Sequence, residues 1–408
     1  MKCRHCAAEL ELPLIDLGMA PPSNAYLSAE ALARPEKRYP LRVLVCEKCW
    51  LVQTEDFADA EELFAADYAY FSSFSSSWLA HARRYATEMT GRWSLGPQSR
   101  VIEVAANDGY LLQYFRDASI PCLGIEPTAS TAAAARSLGI AVIERFFGRA
   151  LARELAASGQ RADLMVANNV LAHVPDINDF AAGFATLLKP DGVATFEFPH
   201  LLRLLEGCQF DTIYHEHFSY LSLGAVERVF ATAGLQVFDV QELPTHGGSL
   251  RVFAQRADEG RQPTAGGVDQ VRQNESRAGL QTRRAYSGFQ ARAERIRDDL
   301  KRFLAEARAS GKSVAAYGAA AKGNTLLNYV GVGPDEVRYV VDRNPAKQGK
   351  FMPGSRIPIV PPSHLETNRP DYLLILPWNL AEEVRQQNAS PAGSGMRFVT
   401  AVPELTVT

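Results

Sequence analysis

Runs of apolar residues alternate with short polar turns through the middle of the chain. "RVIEVAANDGYLLQYF" predicts a buried strand from Val101 to Val104, a tight turn, and a helix that begins near Tyr110. "CLGIEP" predicts a second strand that ends in Glu126, and "DLMVANNVLAHVPD" and "GVATFEFPH" predict a third and a fourth. Strands that alternate with helices indicate an α/β fold with a parallel, doubly wound sheet, whose ligand lies at the carboxyl ends of the strands.

A second set of apolar runs, nearer the C-terminus, predicts another Rossmann-like unit. "SVAAYGAAAKGNTLLNYVGV" indicates a strand, a glycine turn and a helix, and "VRYVVDRNP" and "DYLLILPW" indicate further strands. The turn from Gly318 to Gly323 fits G-x-A-x-x-G, and Asp342 ends the next strand. This pattern is a plausible dinucleotide fingerprint, typical of a site for NAD. Apolar residues at helical spacing predict a long helical connector before this unit: Leu280, Phe289, Ile296, Leu300 and Phe303.

Length and charge exclude several classes of protein. The chain has 408 residues, enough for two or three domains, and a formal net charge of −3. This charge provides no basic field for nucleic acid and no polybasic membrane patch. The polar start "MKCRHCAAEL" does not resemble a signal peptide, and no apolar run is long enough to span a bilayer. We therefore expect a cytoplasmic protein, and no protein partner is evident.

Four of the six cysteines form two closely spaced pairs, Cys3 and Cys6 in "CRHC" and Cys46 and Cys49 in "CEKC". Two residues between thiolates let both sulfurs face one tetrahedral ion at about 2.3 Å. Two such pairs predict a closed, structural zinc site. A redox role is disfavoured because no thioredoxin-like pattern follows. His5, between the first two cysteines, is expected to point elsewhere.

Acidic residues near the ends of two central strands indicate which cofactor the middle unit binds. Glu103 lies in the first strand and Glu126 ends the second, with a glycine-containing turn after the first. Carboxylates at these positions accept hydrogen bonds from ribose hydroxyls. Because the turn lacks G-x-G-x-x-G, a nucleoside without phosphates fits better than a dinucleotide. The pattern therefore favours S-adenosylmethionine over NAD.

At this point the chain resembles a known family, the C-methyltransferases that act on nucleotide-linked ketosugars. The resemblance is carried by "EVAANDGYLL", "GIEP", "ANNVLAHVP" and "YHEHF", and it extends over nearly the whole chain. It implies a class I methyltransferase fold beside the zinc module and, as the alternative to NAD binding, a C-terminal unit that holds the nucleotide diphosphate of the sugar substrate. Ala105 and Ala106 depart from the Gly and Cys that the family often has. The expected cofactor-binding residues are Glu103, Asn107, Asp108, Gly109, Glu126 and Asn168.

The segment "DTIYHEHFSY" concentrates groups that can move protons. His215 and His217 would face one side of a strand and could bind a metal, but no third ligand with suitable spacing follows. A polar loop is another alternative. The position after the "FEFPH" strand, at the ligand edge of the sheet, favours chemistry. Methylation beside a ketone needs a base for the proton and a donor for the enolate oxygen, and histidine and tyrosine suit these roles.

The family motif Y-x-E-H implies individual roles in this segment. His217 is expected to be the base, Glu216 to orient its ring and hold its tautomer, and Tyr214 to contact the substrate oxygen. His215 is expected to be structural. Tyr70 matches the second tyrosine of "Y-x-Y-x-S-S", which reaches the active site in the family, so Tyr70 and His217 compete for the role of base.

Further polar residues are expected to contact the substrate. Asn169 and His173 would share one helical face above the cofactor, although His173 could equally be a capping or core residue. The two glycines after His246 suit a close backbone approach or a hairpin bend. Lys322, near a helix N-terminus, suits a pyrophosphate. The expected substrate-binding residues are Asn169, His173, His246, Lys322 and Asn324.

These observations predict four parts: a zinc-binding module (1–66), a methyltransferase domain (67–260), a long helical connector (261–310) and a Rossmann-like domain (311–408). We expect the active site between the methyltransferase and C-terminal domains, with the N-terminal module closing one side. The expected reaction is S-adenosylmethionine-dependent C-methylation of a nucleotide-linked 4-ketosugar at C3. An NAD-dependent oxidoreductase and a non-catalytic zinc-bearing binding protein are the alternatives.

Overall fold

The computed structural model describes residues 1–57, 71–389 and 395–408, and the strands in these ranges form three sheets. An antiparallel sheet near the N-terminus is followed by two mostly parallel sheets. The α/β class predicted from the alternating apolar runs is confirmed. Within the described ranges, no helix has both the length and the apolar character needed to cross a membrane.

The N-terminal sheet includes a strand from the middle of the chain. In spatial order its strands are β1 (Leu12–Ala20), β2 (Tyr39–Val45), β3 (Val52–Thr54) and β9 (Ser219–Tyr220). Val52 pairs with Tyr220, and the Thr54 amide donates to the Phe218 carbonyl over 3.2 Å. The segment that carries His217 is therefore anchored to the N-terminal module by backbone pairing.

The middle sheet has seven strands with helices on its faces. The strands are β4 (Val101–Val104), β5 (Cys122–Ile125), β6 (Ala141–Ile143), β7 (Ala162–Asn168), β8 (Leu188–Pro199), β10 (Leu235–Leu243) and β11 (Ser249–Arg256). The helices are α1 (Ser76–Arg92), α2 (Leu112–Asp117), α3 (Ala129–Ser137), α4 (Arg149–Ala157), α5 (Ile177–Leu187), α6 (Leu201–Glu206) and α7 (Leu223–Thr232).

The strand order in this sheet is β6-β5-β4-β7-β8-β11-β10, and β11 runs antiparallel to both of its neighbours. Strand β4 has the predicted bounds, whereas the helix predicted from near Tyr110 begins at Leu112. Asn168 pairs with Glu197, and Glu197 pairs with Arg251 across the next ladder. Three central strands therefore bring polar side chains to the same edge of the sheet.

The connector consists of two helices, α8 (Gly266–Ala278) and α9 (Phe289–Ala309), so the prediction of one long helix is wrong. Gly279 has a φ of 76°, a left-handed conformation that ends α8. Leu280 is buried at this break. Leu280 is therefore a buried residue of the loop between the helices, and it is not part of a helical repeat of apolar residues.

The C-terminal sheet is parallel except at its last strand. Its strands, in spatial order, are β14 (Ile359–Val360), β13 (Val340–Val341), β12 (Val314–Tyr317), β15 (Tyr372–Ile375), β16 (Arg397–Thr400) and β17 (Thr406–Val407). Its helices are α10 (Ala321–Val330), α11 (His364–Thr367) and α12 (Ala381–Gln387). One apolar core joins this sheet to β2, the connector and the segment before His217, through Val43, Phe210, Leu300 and Leu374.

Candidate active site

The four paired cysteines converge in the N-terminal module. Their sulfur atoms all lie within 4.8 Å of one another, and Cys3–Cys49 and Cys6–Cys46 are each 3.5 Å apart. Four thiolates around one tetrahedral zinc ion lie about 3.8 Å apart, so these residues fit the ion. In the described part of the chain, this is the one cluster of three or more Cys, His, Asp or Glu side chains close enough to share a metal.

The two cysteine loops have the same backbone turn. Ala7 and Trp50, each directly after a second cysteine, have φ values of 58° and 62°. Their amides donate to the Cys3 carbonyl over 2.9 Å and to the Cys46 carbonyl over 2.8 Å. His5 points away, with Nδ1 2.7 Å from a side-chain oxygen of α5, as predicted.

The turn after β4 has an unusual backbone. Ala105, Asn107 and Gly109 all have positive φ, at 57°, 49° and 79°. Alanine in this region is sterically costly, whereas glycine is not. A Cβ at Gly109 would lie 2.5 Å from Ile140 Cδ1 and 3.3 Å from Ala135 Cα, so the close packing and the positive φ together favour glycine here.

Glu126 holds this turn in place. Its Oε2 accepts a hydrogen bond from the Asn107 amide and its Oε1 accepts one from the Thr128 amide, both at 2.9 Å. Burial raises the pKa of Glu126, and these amide donors oppose that shift. The carboxylate therefore connects the first turn to the end of the second strand, where a ribose would lie.

Several buried polar atoms beside this turn lack hydrogen bonds. Neither carboxylate oxygen of Glu103 makes a hydrogen bond of normal geometry with another described residue, and burial raises its pKa well above the usual value. Asp108 Oδ1 and Asn168 Oδ1 also lack partners within the described ranges. Unpaired buried groups of this kind are costly, so a polar ligand is expected here. The hydroxyl and amino groups of S-adenosylmethionine fit these acceptors.

The residues that precede α1 pack on the same turn. The amides of Ser72 and Ser73 donate to Asn107 Oδ1 over 2.9 Å and to Asp108 Oδ2 over 3.0 Å. The chain just before α1 is thus fixed against the turn after β4. Tyr70, the other expected candidate for the base, lies outside the described residues.

His217 lies buried beside two other rings. Its Nδ1 is 2.8 Å from the Thr212 carbonyl, which can only accept, so Nδ1 carries the proton and Nε2 keeps its lone pair. Its ring centroid lies 3.9 Å from that of Tyr214 and 4.6 Å from that of His173. Burial, followed by the neighbouring His173, lowers the pKa of His217 well below its usual value. The neutral ring is therefore favoured.

The expected orientation of His217 by Glu216 is wrong. Glu216 Oε1 accepts a hydrogen bond from Asn24 Nδ2 over 3.0 Å, and the Glu216 carbonyl accepts one from His173 Nδ1 over 2.8 Å. The Thr212 carbonyl holds the His217 tautomer instead. Adjacent side chains in this turn point in different directions, so Glu216 faces the N-terminal module while His217 does not.

The two histidines of "HEH" do not face one metal. The His217 amide donates to the Tyr214 carbonyl over 2.9 Å, so the segment is a turn, and the strand alternation does not apply. His215 Nε2 lies 3.2 Å from the Pro40 carbonyl, and its ring packs edge-on against Tyr39. These contacts are consistent with a structural role for His215.

Asn169 and His173 do not share a helical face, so that prediction is wrong. Asn169 has a φ of 54°, which an α-helix cannot include, and His173 ends a separate short 3-10 turn. The side-chain nitrogen Nδ2 of Asn169 instead lies 3.4 Å from Nε2 of His246, which has a φ of 53°. The structure therefore brings together two residues with left-handed backbone from different loops.

Lys322 lies where the middle and C-terminal domains meet. Its Nζ donates to Asn379 Oδ1 over 2.6 Å and lies 4.8 Å from the centroid of the Trp378 ring. Trp378 Nε1 donates to Asp211 Oδ2 over 2.7 Å, and burial raises the pKa of Asp211 to about 6. Asn324 is buried nearby in α10, and its Nδ2 lacks a partner in the described part of the chain.

Glu197, at the carboxyl end of β8, is a buried charge that sequence reasoning missed. It accepts hydrogen bonds from His81 Nε2 and Arg251 Nη2, each at 2.9 Å, and from Thr245 Oγ1 at 3.1 Å. Burial raises its pKa, but His81 and Arg251 outweigh burial, so the net pKa of Glu197 is lowered. An acidic residue that interrupts the apolar "FEFPH" strand was the available signal.

Comparison with known proteins identifies the family. The chain is 36% identical over 405 residues to the C-methyltransferase NovU of Streptomyces niveus, covering 99% of this chain and 96% of that protein. This chain belongs to the C-methyltransferase family. Family models match it as a zinc binding domain (residues 3–64), a methyltransferase domain (78–240) and a C-methyltransferase C-terminal domain (244–403).

Two solved methyltransferase structures are each similar to less than half of this C-methyltransferase. Magnesium protoporphyrin IX methyltransferase from Synechocystis PCC 6803 is 13% identical, with a TM-score of 0.35, over 44% of this chain and 83% of that one. A methyltransferase from Thermotoga maritima is 16% identical, with a TM-score of 0.35, over 46% and 97%. Together with the relative and the family models, the four-cysteine cluster identifies an S-adenosylmethionine-dependent C-methyltransferase with a zinc-binding domain.

Proposed function

We propose that this C-methyltransferase methylates C3 of a nucleotide-linked 4-ketosugar. Carbon beside a ketone is acidic because its carbanion is delocalised onto the carbonyl oxygen as an enolate. The proposal rests chiefly on His217, a buried neutral imidazole with Nδ1 tied to the Thr212 carbonyl and Nε2 available to accept a proton. Such a ring suits removal of the C3 proton.

In this mechanism the C3–H bond breaks and its proton goes to His217 Nε2, while the electron pair forms the enolate. We assign Tyr214, whose ring is tilted against that of His217 with 3.9 Å between centroids, to donate a hydrogen bond to the enolate oxygen. When bound, S-adenosylmethionine supplies an electrophilic methyl group and is left as S-adenosylhomocysteine. His217 then releases its proton to solvent, which restores the neutral ring.

The cofactor would be held by the turn after β4. Glu103 and Glu126 would accept hydrogen bonds from the ribose hydroxyls, since Glu103 has buried oxygens without well-formed bonds to the described residues. Asp108 Oδ1 and Asn168 Oδ1 are further unpaired acceptors on the same side. We assign Asn107 and Gly109 to the shape of the turn.

The C-terminal domain would hold the nucleotide of the substrate. Lys322 lies in the first turn of α10 and interacts electrostatically with Asp211 across the contact with the middle domain. Burial lowers the pKa of Lys322, and Asp211 opposes that shift. Asn324, on the same helix, has a buried amide nitrogen that no described residue binds. A diphosphate beside Lys322 would direct the attached sugar toward the cleft that contains His217.

Calorimetric titrations with S-adenosylhomocysteine and NADH test the cofactor assignment first. Methyl transfer from labelled S-adenosylmethionine should then be measured with thymidine, guanosine and cytidine diphospho-4-keto-6-deoxyhexoses. His217→Ala should lose at least ~100-fold in turnover while binding S-adenosylhomocysteine as the wild type does. His215→Ala, a neighbouring histidine that faces Pro40, is the matched control. Turnover unchanged in His217→Ala would refute the assignment of the base.

A further inference from the structure

Asn169 and His246 form a contact between two energetically costly backbone conformations. Their φ values are 54° and 53°, in the left-handed region that residues with a side chain rarely adopt. Asn169 follows β7, whereas His246 lies in the loop between β10 and β11. Such conformations persist only when the surroundings hold them, and they concentrate at functional sites.

The pair offers complementary hydrogen-bonding groups. Burial lowers the pKa of His246 to about 4, so its ring is neutral at physiological pH. Asn169 Nδ2 donates a hydrogen bond to His246 Nε2 over 3.4 Å, which leaves the proton of the neutral ring on Nδ1. Asn169 Oδ1 is buried and has no partner in the described ranges. One donor and one acceptor are what a hydroxyl group can bind.

Glu197 contacts both loops that carry this pair. Its backbone carbonyl accepts a hydrogen bond from the backbone N–H of Asn169 over 2.7 Å, and its side chain accepts one from Thr245 Oγ1 over 3.1 Å. Thr245 directly precedes His246, and its carbonyl accepts from the Gly248 amide over 2.9 Å. The backbone before His246 is therefore held on both sides, with Glu197 providing one of them.

Helix α1 also contacts the Glu197 carboxylate. His81, which donates to Glu197, stacks on Trp78 with 4.9 Å between ring centroids. Trp78 in turn lies 5.4 Å from the His246 ring. Arg251 neutralises the buried charge of Glu197 and is itself packed on Tyr85, with 4.7 Å to the ring centroid. The network is a closed, charge-balanced support behind His246.

We propose that Glu197 is a positioning residue for substrate binding. Its carbonyl and, through Thr245, its carboxylate hold Asn169 and His246 so that the pair binds a hydroxyl group of the sugar beside the reacting carbon. This inference rests on the proposed function for the identity of the ligand. The arrangement of the three residues does not depend on it.

Thr245→Val removes the one hydrogen bond that couples Glu197 to the His246 loop while keeping the shape of the side chain. When a 4-ketosugar nucleotide that the wild type methylates is used as substrate, we expect kcat/KM of Thr245→Val to fall about tenfold. Thr245→Ser should restore it. Affinity for S-adenosylhomocysteine should not change. Because Thr245 acts through His246, the Thr245→Val/His246→Gln double variant should be no worse than His246→Gln alone. Glu88→Gln, which alters the exposed partner of Arg251, is the control that should retain activity.

A second measurement needs no substrate. In long-range 1H–15N spectra of the histidine rings, His246 of Thr245→Val should change its tautomer signals and titrate at higher pH, whereas Thr245→Ser should match the wild type. An unchanged His246 spectrum in Thr245→Val, or additive losses in the double variant, would overturn the positioning role. If no ketosugar nucleotide is methylated by the wild type, the proposed function fails, but the spectra still decide whether Glu197 positions His246.

Discussion

Glu126 and Asp342 hold the first turns of two different sheets in the same way. Glu126 accepts from the amide of Asn107 in the turn after β4 and from Thr128, two residues further along its own loop. Asp342 accepts from the Ala319 amide, in the turn after β12, over 2.7 Å, and from Asn344, again two residues on, over 2.8 Å. Each acidic residue follows the strand parallel to the first one. The two units therefore hold the turn after their first strand with the same pair of backbone hydrogen bonds.

Because Glu126 and Asp342 occupy matching positions in two different units, we expect the two carboxylates to serve different ligands. Glu126→Gln should weaken S-adenosylhomocysteine binding by about 10-fold or more, because the ribose loses a charged acceptor. Asp342→Asn should leave that affinity unchanged and raise KM for the nucleotide sugar. Calorimetry and steady-state kinetics on both variants separate these effects. Weaker S-adenosylhomocysteine binding in Asp342→Asn would place the cofactor in the C-terminal domain instead.

The left-handed Ala105 predicts a stabilising substitution. Ala105→Gly removes the Cβ from a residue with a φ of 57° and should raise the free energy of unfolding by about 1 kcal/mol. Ala106→Gly is the contrasting variant, because Ala106 is fully buried and its methyl group packs near Gly124. It should lower stability by about 1 kcal/mol. Urea unfolding of both variants measures the difference, and a destabilised Ala105→Gly protein would contradict the backbone argument.

Local patterns in the sequence predicted the features that depend on local contacts. The bounds of β4 followed from an apolar run ending at a polar turn, and the cysteine cluster followed from the spacing within each pair. The left-handed Asn169 was not predictable in this way, because periodicity assumes that a helix continues. The end of α8 at Gly279 was not predicted for the same reason, since buried Leu280 fits the apolar spacing of a continuous helix.

The contacts that define the candidate site connect distant parts of the chain or involve the backbone. Asn24 and Glu216 are separated by 192 positions, and Glu197 and His81 by 116. The Thr212 carbonyl that fixes the His217 tautomer has no signature in the sequence, because every residue has a carbonyl. The resemblance indicated which residues to consider, whereas the three-dimensional packing determines what each one contacts.

The cysteine cluster predicts one bound zinc ion per chain. Cys49→Ser should reduce zinc content to near zero by elemental mass spectrometry, because three thiolates and a hydroxyl bind zinc far more weakly. Cys122→Ser, outside the cluster, is the control and should retain the metal. Chelation should also reduce methyl transfer, since β3 of the same module pairs with β9 beside His217. Full zinc content in Cys49→Ser would refute the four-cysteine site.

The environment of His217 predicts an unusual dependence on pH. A base must be neutral to accept a proton, and a lowered pKa keeps His217 neutral to more acidic pH. The acid limb of kcat/KM should therefore lie below about pH 6.5, the usual value for histidine. Because His173 contributes to this lowering, His173→Gln should move the limb toward neutral pH. His364→Gln, in α11, should not. A limb at or above pH 6.5 in the wild type would exclude His217 as the titrating base.

Asn24 predicts a catalytic contribution from the N-terminal module. Its amide nitrogen is the hydrogen-bond donor to Glu216 Oε1 at 3.0 Å, and Glu216 is fully enclosed. Asn24→Ala should lower kcat about tenfold, because it leaves a buried Glu216 oxygen unpaired in the turn that also holds His217. Asn24→Asp should lower it further at neutral pH, because two carboxyl groups at hydrogen-bond distance cannot both ionise, and activity should partly return as the pH falls. Ser28→Ala, in the same segment, is the control. If Asn24→Asp shows the pH profile of the wild type, Glu216 is not held by this contact during catalysis.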